Sequence, residues 1–312
     1  MKRQKRRLSL AAGLLAATML VAPAGARAQS RGVYPLGMTA LGSGLTPDPG
    51  FTYANQLLFY SRDESKADDG STLPASGQNA VIMDMNSFVW VSGRTILGGA
   101  HYSAVATLPV AQNQLVSDIH GQLSGGGGFA DSYYLPLILG WNKERASIRA
   151  LAGFLAPTGR FAAGASDNVG SGYWTPTLSS GQTVQIARNS AVTLSAFQLY
   201  EWHTAQHGTG TKPGDTISVD YSLIRTFAFA KRPTRLQIGI VGYEQRQTTA
   251  KTGAAITEEQ SHERYAVNAL GFATNLVFPN HRFNAGLKLF EEFANRAAYQ
   301  GYSLQLFGAV SF

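Results

Sequence analysis

Apolar and polar residues alternate along most of this chain. In residues 299–312, Tyr302, Leu304, Leu306, Val310 and Phe312 share one parity, while Ser303, Gln305 and Ser311 take the other. That is the period of a strand with a single apolar face. The same alternation sets Leu236, Ile238 and Ile240 against Gln237 and Tyr243, and Phe283, Ala285, Leu287 and Leu289 against Asn284, Lys288 and Glu292. Segments of this kind recur at about 50–61, 79–92, 97–110, 131–142, 146–156, 173–186, 191–206, 215–228, 235–246, 263–278, 282–292 and 300–312. Two of them, 146–156 and 263–278, alternate poorly, so their facing stays open. About twelve such segments form the dyad signature of a transmembrane antiparallel β-barrel.

The connections alternate in length. Gly93-Arg94-Thr95-Ile96, Asn142-Lys143-Glu144-Arg145, Ala187-Arg188-Asn189-Ser190, residues 229–234 and Pro279-Asn280-His281-Arg282 read as tight polar turns. The stretches near 62–78, 111–130, 157–172, 207–214, 247–262 and 293–299 read as longer loops. Short turns on one side and long loops on the other is the barrel arrangement of periplasmic and external ends. Aromatics gather at both ends: Phe88, Trp90, Trp141, Phe227, Phe229, Phe278 and Phe312 near the short turns, and Phe59, Tyr60, Tyr133, Tyr134, Tyr173, Trp174, Tyr200, Trp202 and Tyr299 near the loops. Two girdles at headgroup level are expected of such rings.

Composition narrows the reading. The 312 residues are 44% hydrophobic but only 14% charged, with 34 glycines, 12 prolines and no cysteine. Thiol catalysis, disulfides and thiolate metal sites are thereby excluded. The formal charge of +7 falls to +1 once Lys2, Arg3, Lys5, Arg6, Arg7 and Arg27 are set aside, so no nucleic-acid partner is implied. Those residues belong to a segment with a cationic start, an apolar run from Leu8 to Val21, and Ala26-Arg27-Ala28. It reads as a secretory signal cleaved after Ala28. The expected organisation is therefore 1–28 signal peptide, 29–50 a Gly/Pro-rich segment and 51–312 the barrel. The expected location is the bacterial outer membrane, with its lipid as the surrounding partner. The terminal aromatic strand resembles the sorting signal read by the barrel-assembly machinery through Phe312.

Residues 30–50 carry five glycines together with Pro35, Pro47 and Pro49, which suits an irregular segment better than a strand. A barrel of this size has room inside, so the segment is expected to enter the lumen as a plug, with Tyr34, Leu36, Met38 and Leu41 as its contacts. Polar residues opposite the apolar parity are expected to line the lumen, because a charge facing lipid costs a few kcal/mol. They are Asp84, Asn86, His101, Ser218, Asp220, Ser222, Asn284, Lys288, Glu292 and Gln305. Phe88 and Trp90, read on the inward parity, would add an apolar contact for an aromatic solute.

Several residue pairs resemble catalytic arrangements. His101 and Ser103 share a strand face, and barrel lipases use a His-x-Ser pair, but neither an Asn-Gly-Arg nor a calcium-ligating loop follows. Barrel proteases pair carboxylates with an Asp-His dyad, so Asp84, Glu201, His203, His207 and Asp220 draw the same question; Glu201 and His203 share a parity. Gly125-Gly-Gly-Gly128 and Gly208-Thr-Gly-Thr-Lys-Pro-Gly214 lack the helix that a P-loop lysine opens, and read as flexible loops. The expectation is no enzyme, no catalytic residue, no metal and no cofactor.

A set of short motifs then falls in order. Gly128-Phe129-Ala130-Asp131, Pro136-Leu137 and Leu139-Gly140-Trp141 are followed by Ala156-Pro157-Thr158-Gly159-Arg160-Phe161, Gly172-Tyr173-Trp174, Thr211-Lys212-Pro213-Gly214-Asp215 and Val219-Asp220-Tyr221. With Tyr34-Pro35-Leu36-Gly37 and Pro47-Asp48-Pro49-Gly50-Phe51, these resemble the phenol meta-pathway degradation outer-membrane proteins, a family of porin-like or transporter barrels, over essentially the whole mature chain. Ala130 departs from the glycine usual there. The matching positions are Asp131, Pro136, Trp141, Pro157, Thr158, Gly159, Trp174, Gly214 and Asp215. The resemblance implies uptake of aromatic and other small hydrophobic solutes linked to catabolism. A structural or adhesive barrel and an outer-membrane hydrolase are the competing readings.

Overall fold

The computed structural model describes residues 33–73, 77–117, 121–186 and 191–312. The signal-peptide expectation, residues 29–32 of the Gly/Pro-rich segment and the turn at 187–190 lie outside the described residues. Thirteen strands form one antiparallel sheet: β1 (Gly50–Lys66), β2 (Gly77–Ile96), β3 (Ala100–Ser117), β4 (Gly121–Phe129), β5 (Ser132–Asn142), β6 (Ala146–Ala156), β7 (Thr175–Gln185), β8 (Val192–Glu201), β9 (Thr216–Ala228), β10 (Arg235–Gln247), β11 (Ala266–Phe278), β12 (Phe283–Glu292) and β13 (Ala298–Ser311). A short helix, α1 (Glu258–His262), sits in the loop before β11, capped by Thr257 and Gln260. Pairing runs from each strand to the next around a closed ring made of all but β4, and β13 returns to β1 with Tyr53 opposite Val310 and Leu57 opposite Leu306. Closure removes the sheet edges that hydrocarbon cannot satisfy.

The faces are inside-out relative to a water-soluble protein. Ile82, Val110, Leu194, Ile240, Phe272 and Leu306 are exposed on the outside, while Ser218, Ser222, Ser303 and Gln305 are buried within. At the short-turn end, Phe51 lies 6.3 Å from Phe88 and 6.1 Å from Phe312, and Trp90 meets Tyr102 edge-on at 5.9 Å. At the loop end Tyr134, Phe154 and Trp174 form a chain at 5.5 and 5.7 Å, and Tyr200 packs on Trp202 at 4.7 Å.

The two strands of open facing resolve for one reason. Inward positions of β11 are Val267, Ala269 and Ala273, all buried, and outward ones are Leu270, Phe272 and Leu276. Likewise Leu151 and Leu155 of β6 point in and Ile148 points out. Both faces are apolar, so hydropathy alone showed no period.

Two expectations are corrected. The first concerns residues 111–130, read as a long loop. β3 instead continues to Ser117 and pairs its second half with β4, Val110 opposite Phe129, whereas its first half pairs with β5, His101 opposite Gly140. Of the glycines of β4, Gly126 serves close approach: a Cβ there would lie 2.2 Å from the Asp167 carbonyl oxygen of the neighbouring loop. The second concerns β2. Met83 and Met85 face the interior, so Asp84, Asn86, Phe88 and Trp90 point outward with Ile82, and none of these four lines the lumen. The carboxylate is tolerated there because Asn55 Nδ2 donates to Asp84 Oδ1 at 2.5 Å and Asn86 Nδ2 donates to Oδ2 at 3.4 Å.

Candidate functional site

Residues 33–49 thread the lumen from the loop end to the short-turn end, where β1 begins. Having no strand partner, their backbone groups are met by inward side chains of the wall. Glu201 of β8 accepts from the Val33 and Tyr34 amides at 3.1 and 2.9 Å and from the Thr216 hydroxyl. Asp220 of β9 accepts from the Tyr34 hydroxyl at 2.6 Å, the Gly37 amide at 2.9 Å and the Thr39 amide at 3.1 Å. Lys288 of β12 donates to the Gly37 and Met38 carbonyls at 2.6 and 2.9 Å, and Gln305 of β13 to the Leu36 carbonyl at 2.8 Å. Ser222 donates to the Ala40 carbonyl and Arg149 to that of Ser43, both at 2.7 Å. Nearest the short turns, Asn142 holds Thr46 through both its amide and its carbonyl.

Apolar contacts complete the seat. Tyr34, Leu36 and Ala40 are buried in one cluster with Phe197, Leu199, Ile224, Val241, Tyr243 and Phe290 of the wall; Met38 and Leu41 pack against it. Gly37 needs its glycine, because its φ is +78° and a Cβ there would meet the Phe290 ring at 2.6 Å.

Above this segment, toward the loops, lies a cavity of about 430 Å³. Val33, Tyr34 and Met38 form its floor; Met83, Met85, Pro109, Tyr133, Leu155 and Leu199 form much of its wall; Asn113, Asp131, Thr177 and Gln206 supply polar edges. Its roof is the loop after β6, fastened by Asp131, which accepts from the Gly159 and Ser171 amides at 2.9 and 2.6 Å. The Thr158 hydroxyl closes the same corner, donating to the Ala130 carbonyl and accepting the Ser132 amide.

Several of the motif positions fasten loop backbone at the external end, and others brace the wall. Asp131, Thr158 and Gly159 are accounted for above. Asp215 accepts the His203 amide at 3.0 Å, and Gly214 lets the Thr249 carbonyl approach to 2.3 Å of where a Cβ would stand. Trp141 donates to the Leu97 carbonyl at 3.0 Å, the Pro136 carbonyl accepts from Tyr102 at 2.6 Å, and Trp174 belongs to the outer girdle. Pro157 leads into the fastened corner at Thr158 and Gly159.

Of the other expected lumen residues, Asp220, Ser222 and Lys288 grip the threaded segment directly. Ser218 accepts from Gln245 at 2.9 Å within the wall. Glu292 is held by Arg62 at 3.0 and 3.1 Å, by Tyr243 at 3.0 Å and by Asn295 at 3.1 Å. His101 lies at the short-turn end with Nδ1 3.0 Å from the Ser92 carbonyl, away from the cavity. Missed in the sequence were Glu201 and Arg149 as anchors and Met83, Met85 and Leu199 as lining. The shared parity of Glu201 and His203 was the one available signal, but it marks an anchor beside a loop clamp rather than a dyad.

His203, beyond the end of β8, is buried, with Nδ1 2.9 Å from the Thr175 hydroxyl, Nε2 without a partner among the described residues and the Tyr173 ring edge-on at 5.2 Å. Burial lowers its pKa to about 4, Asp215 opposing and Lys212 adding to the shift. Once the loop opens, the imidazole takes a proton below ~6.5, whereas the closed form takes none until about 4. Its contribution to closure is thus complete above pH ~6.5 and is lost as pH falls toward 4. Limited proteolysis of the loops after β7 and β8 should speed up between pH 7.5 and 5, and His203→Gln should flatten that dependence. A pH-independent cleavage rate in the wild type would contradict this.

Comparison with known proteins bears on the whole barrel. The family described as the MetA-pathway of phenol degradation matches residues 62–306. An outer membrane channel from Pseudomonas putida F1 superposes with a TM-score of 0.69 at 12% identity, covering 86% of this chain and 97% of that one. The β domain of the Bordetella autotransporter Brka gives 0.54 at 11% identity, covering 85% and 100%. These likenesses establish the outer-membrane barrel fold. No curated protein is similar enough in sequence to match.

Proposed function

Because this chain belongs to the MetA-pathway of phenol degradation family, we propose that it is an outer-membrane channel admitting small hydrophobic, aromatic molecules toward the periplasm. The observation that carries the reading is the cavity of about 430 Å³, mainly apolar in its lining and floored by the threaded segment. That volume lies within the ~300–1,000 Å³ of small-molecule pockets and suits a one-ring solute. Methionines adapt to flat apolar ligands, and the few polar groups at the rim, Asn113 and Asp131 among them, can take a ring hydroxyl. Solute captured beneath the fastened loop would then pass the segment held by Asp220 and Lys288. The channel described from Pseudomonas putida F1 supports the reading by its shared architecture. Nothing in the route calls for a covalent step, and we read the protein as non-catalytic.

The test is initial uptake of a labelled monocyclic aromatic at low concentration by cells with an intact outer membrane. Thr177→Trp, which fills the cavity from β7, should cut uptake several-fold while heat-modifiable migration on a gel shows a folded barrel. Equal uptake by folded wild type and variant would sink the proposal.

A further inference from the structure

The outer face of β1 and β2 carries a polar island among apolar neighbours; a smaller outward cluster, Ser180, Gln182 and Gln198, lies on β7 and β8. The Tyr53 hydroxyl donates to Asn86 Oδ1 at 2.6 Å, Asn55 Nδ2 reaches the same oxygen at 3.4 Å, and both amides donate to the Asp84 carboxylate. Its depth follows from the girdle. From Trp90 to Asp84, at ~3.3 Å per residue and a tilt of ~40°, the carboxylate stands about 15 Å in from the aromatic ring of the short-turn end, inside an apolar band of ~25 Å. Phe88 and Ile82 flank it on β2, and Leu57 and Val110 stand opposite Asp84 on the adjoining strands. Headgroups and water lie far from this level.

We propose that this face is the contact between two copies of the chain in the membrane. The groups left over within the island are of both kinds: the Asn55 side-chain carbonyl accepts nothing among the described residues, and Asn86 Nδ2 has a second hydrogen beyond the one given to Asp84. Spare donor and spare acceptor sit side by side, so a two-fold axis through the island sets each Asn86 amide against the partner's Asn55 carbonyl. That is the self-complementarity an isologous contact requires. In hydrocarbon such groups find no other match, which makes polar side chains the adhesive of membrane interfaces. Small outward residues beside the island, Gly308 opposite Asn55 and Ala106 opposite Phe88, let the two walls approach closely. This inference stands on the barrel's membrane setting and is independent of what passes through the lumen.

The natural chain has no cysteine, so single introduced thiols report proximity cleanly. Leu57→Cys and Phe88→Cys are oxidised in intact outer membranes, with Leu223→Cys on β9 as the distant control. At least one of the first two should give a disulfide-linked band at twice the monomer mass, and the control should not. Adding Asn86→Leu should lower the dimer fraction about tenfold, with heat-modifiable migration confirming a folded barrel; Asn55→Leu serves if that variant folds poorly. No dimer at either position, equal cross-linking at Leu223→Cys, a product of another mass, or an unchanged fraction in folded leucine variants would each overturn the proposal.

Discussion

Deleting residues 33–48 is expected to leave a folded barrel whose single-channel conductance is several-fold that of the full chain. The ladder of the ring starts at Gly50, so no strand pairing is lost with the segment. Apart from the bond from the Tyr34 hydroxyl to Asp220, the hydrogen bonds lost between segment and wall run from wall side chains to segment backbone, and water entering the lumen can replace those partners at Asp220, Ser222, Lys288 and Gln305. What water cannot replace is the apolar seat around Phe290, Tyr243 and Val241, worth ~25 cal/mol per Å² of surface uncovered. The truncated barrel should therefore unfold at lower temperature yet conduct more. Planar-bilayer recording, with heat-modifiable migration as the folding control, decides the matter. A conductance equal to that of the full chain would mean that the segment is no constriction.

How much of this could be read from the sequence depends on what each face of a strand has to do. On β13, Tyr302 and Leu306 face out while Ser303 and Gln305 face in, so hydropathy reports orientation directly. On β2 the signal is inverted: Met83 and Met85 face a cavity that suits apolar contacts, and Asp84 and Asn86 face out because they satisfy one another. A rule that places charge inside fails there, since it assumes a polar lumen and an isolated carboxylate. The glycine run of β4 misled for a related reason, since Gly126 is small so that the backbone of Asp167 can lie against it. The segment before β1 was legible as irregular from its glycines and prolines. Its anchors were not, because the pairing of Glu201 with Val33 and Tyr34 spans much of the chain and leaves no local pattern. Asp131 and Asp215 stood out as motif residues, but only the structure shows that each fastens loop backbone.

The second large effect is expected at the pair of opposite charges that grips Gly37. Asp220 takes its amide hydrogen and Lys288 its carbonyl oxygen, so the two hold the peptide groups on either side of a single glycine. Lys288→Met would orphan the Met38 carbonyl, leave the Gly37 carbonyl only a long bond from the Ala40 amide, and deprive Asp220 of its neighbouring cation; Asp220→Leu would orphan the Gly37 amide, leave the Tyr34 hydroxyl and Thr39 to one another, and leave a buried ammonium. Leaving a buried donor or acceptor unsatisfied costs roughly 1–3 kcal/mol, more where a charge is involved, which is large for a segment held by so few bonds. Either single variant should therefore free the segment and produce frequent large openings in planar bilayers, approaching the conductance of the deletion. The double variant removes both uncompensated charges, and its penalty should be smaller than the sum of the two singles. Its open fraction should accordingly fall below the additive expectation, with Asp220→Asn, which keeps one acceptor oxygen, lying nearer the wild type. Singles that behave like wild type, or a double that is strictly additive, would show that the apolar contacts of Tyr34 and Leu36 seat the segment and that the charges merely accompany it.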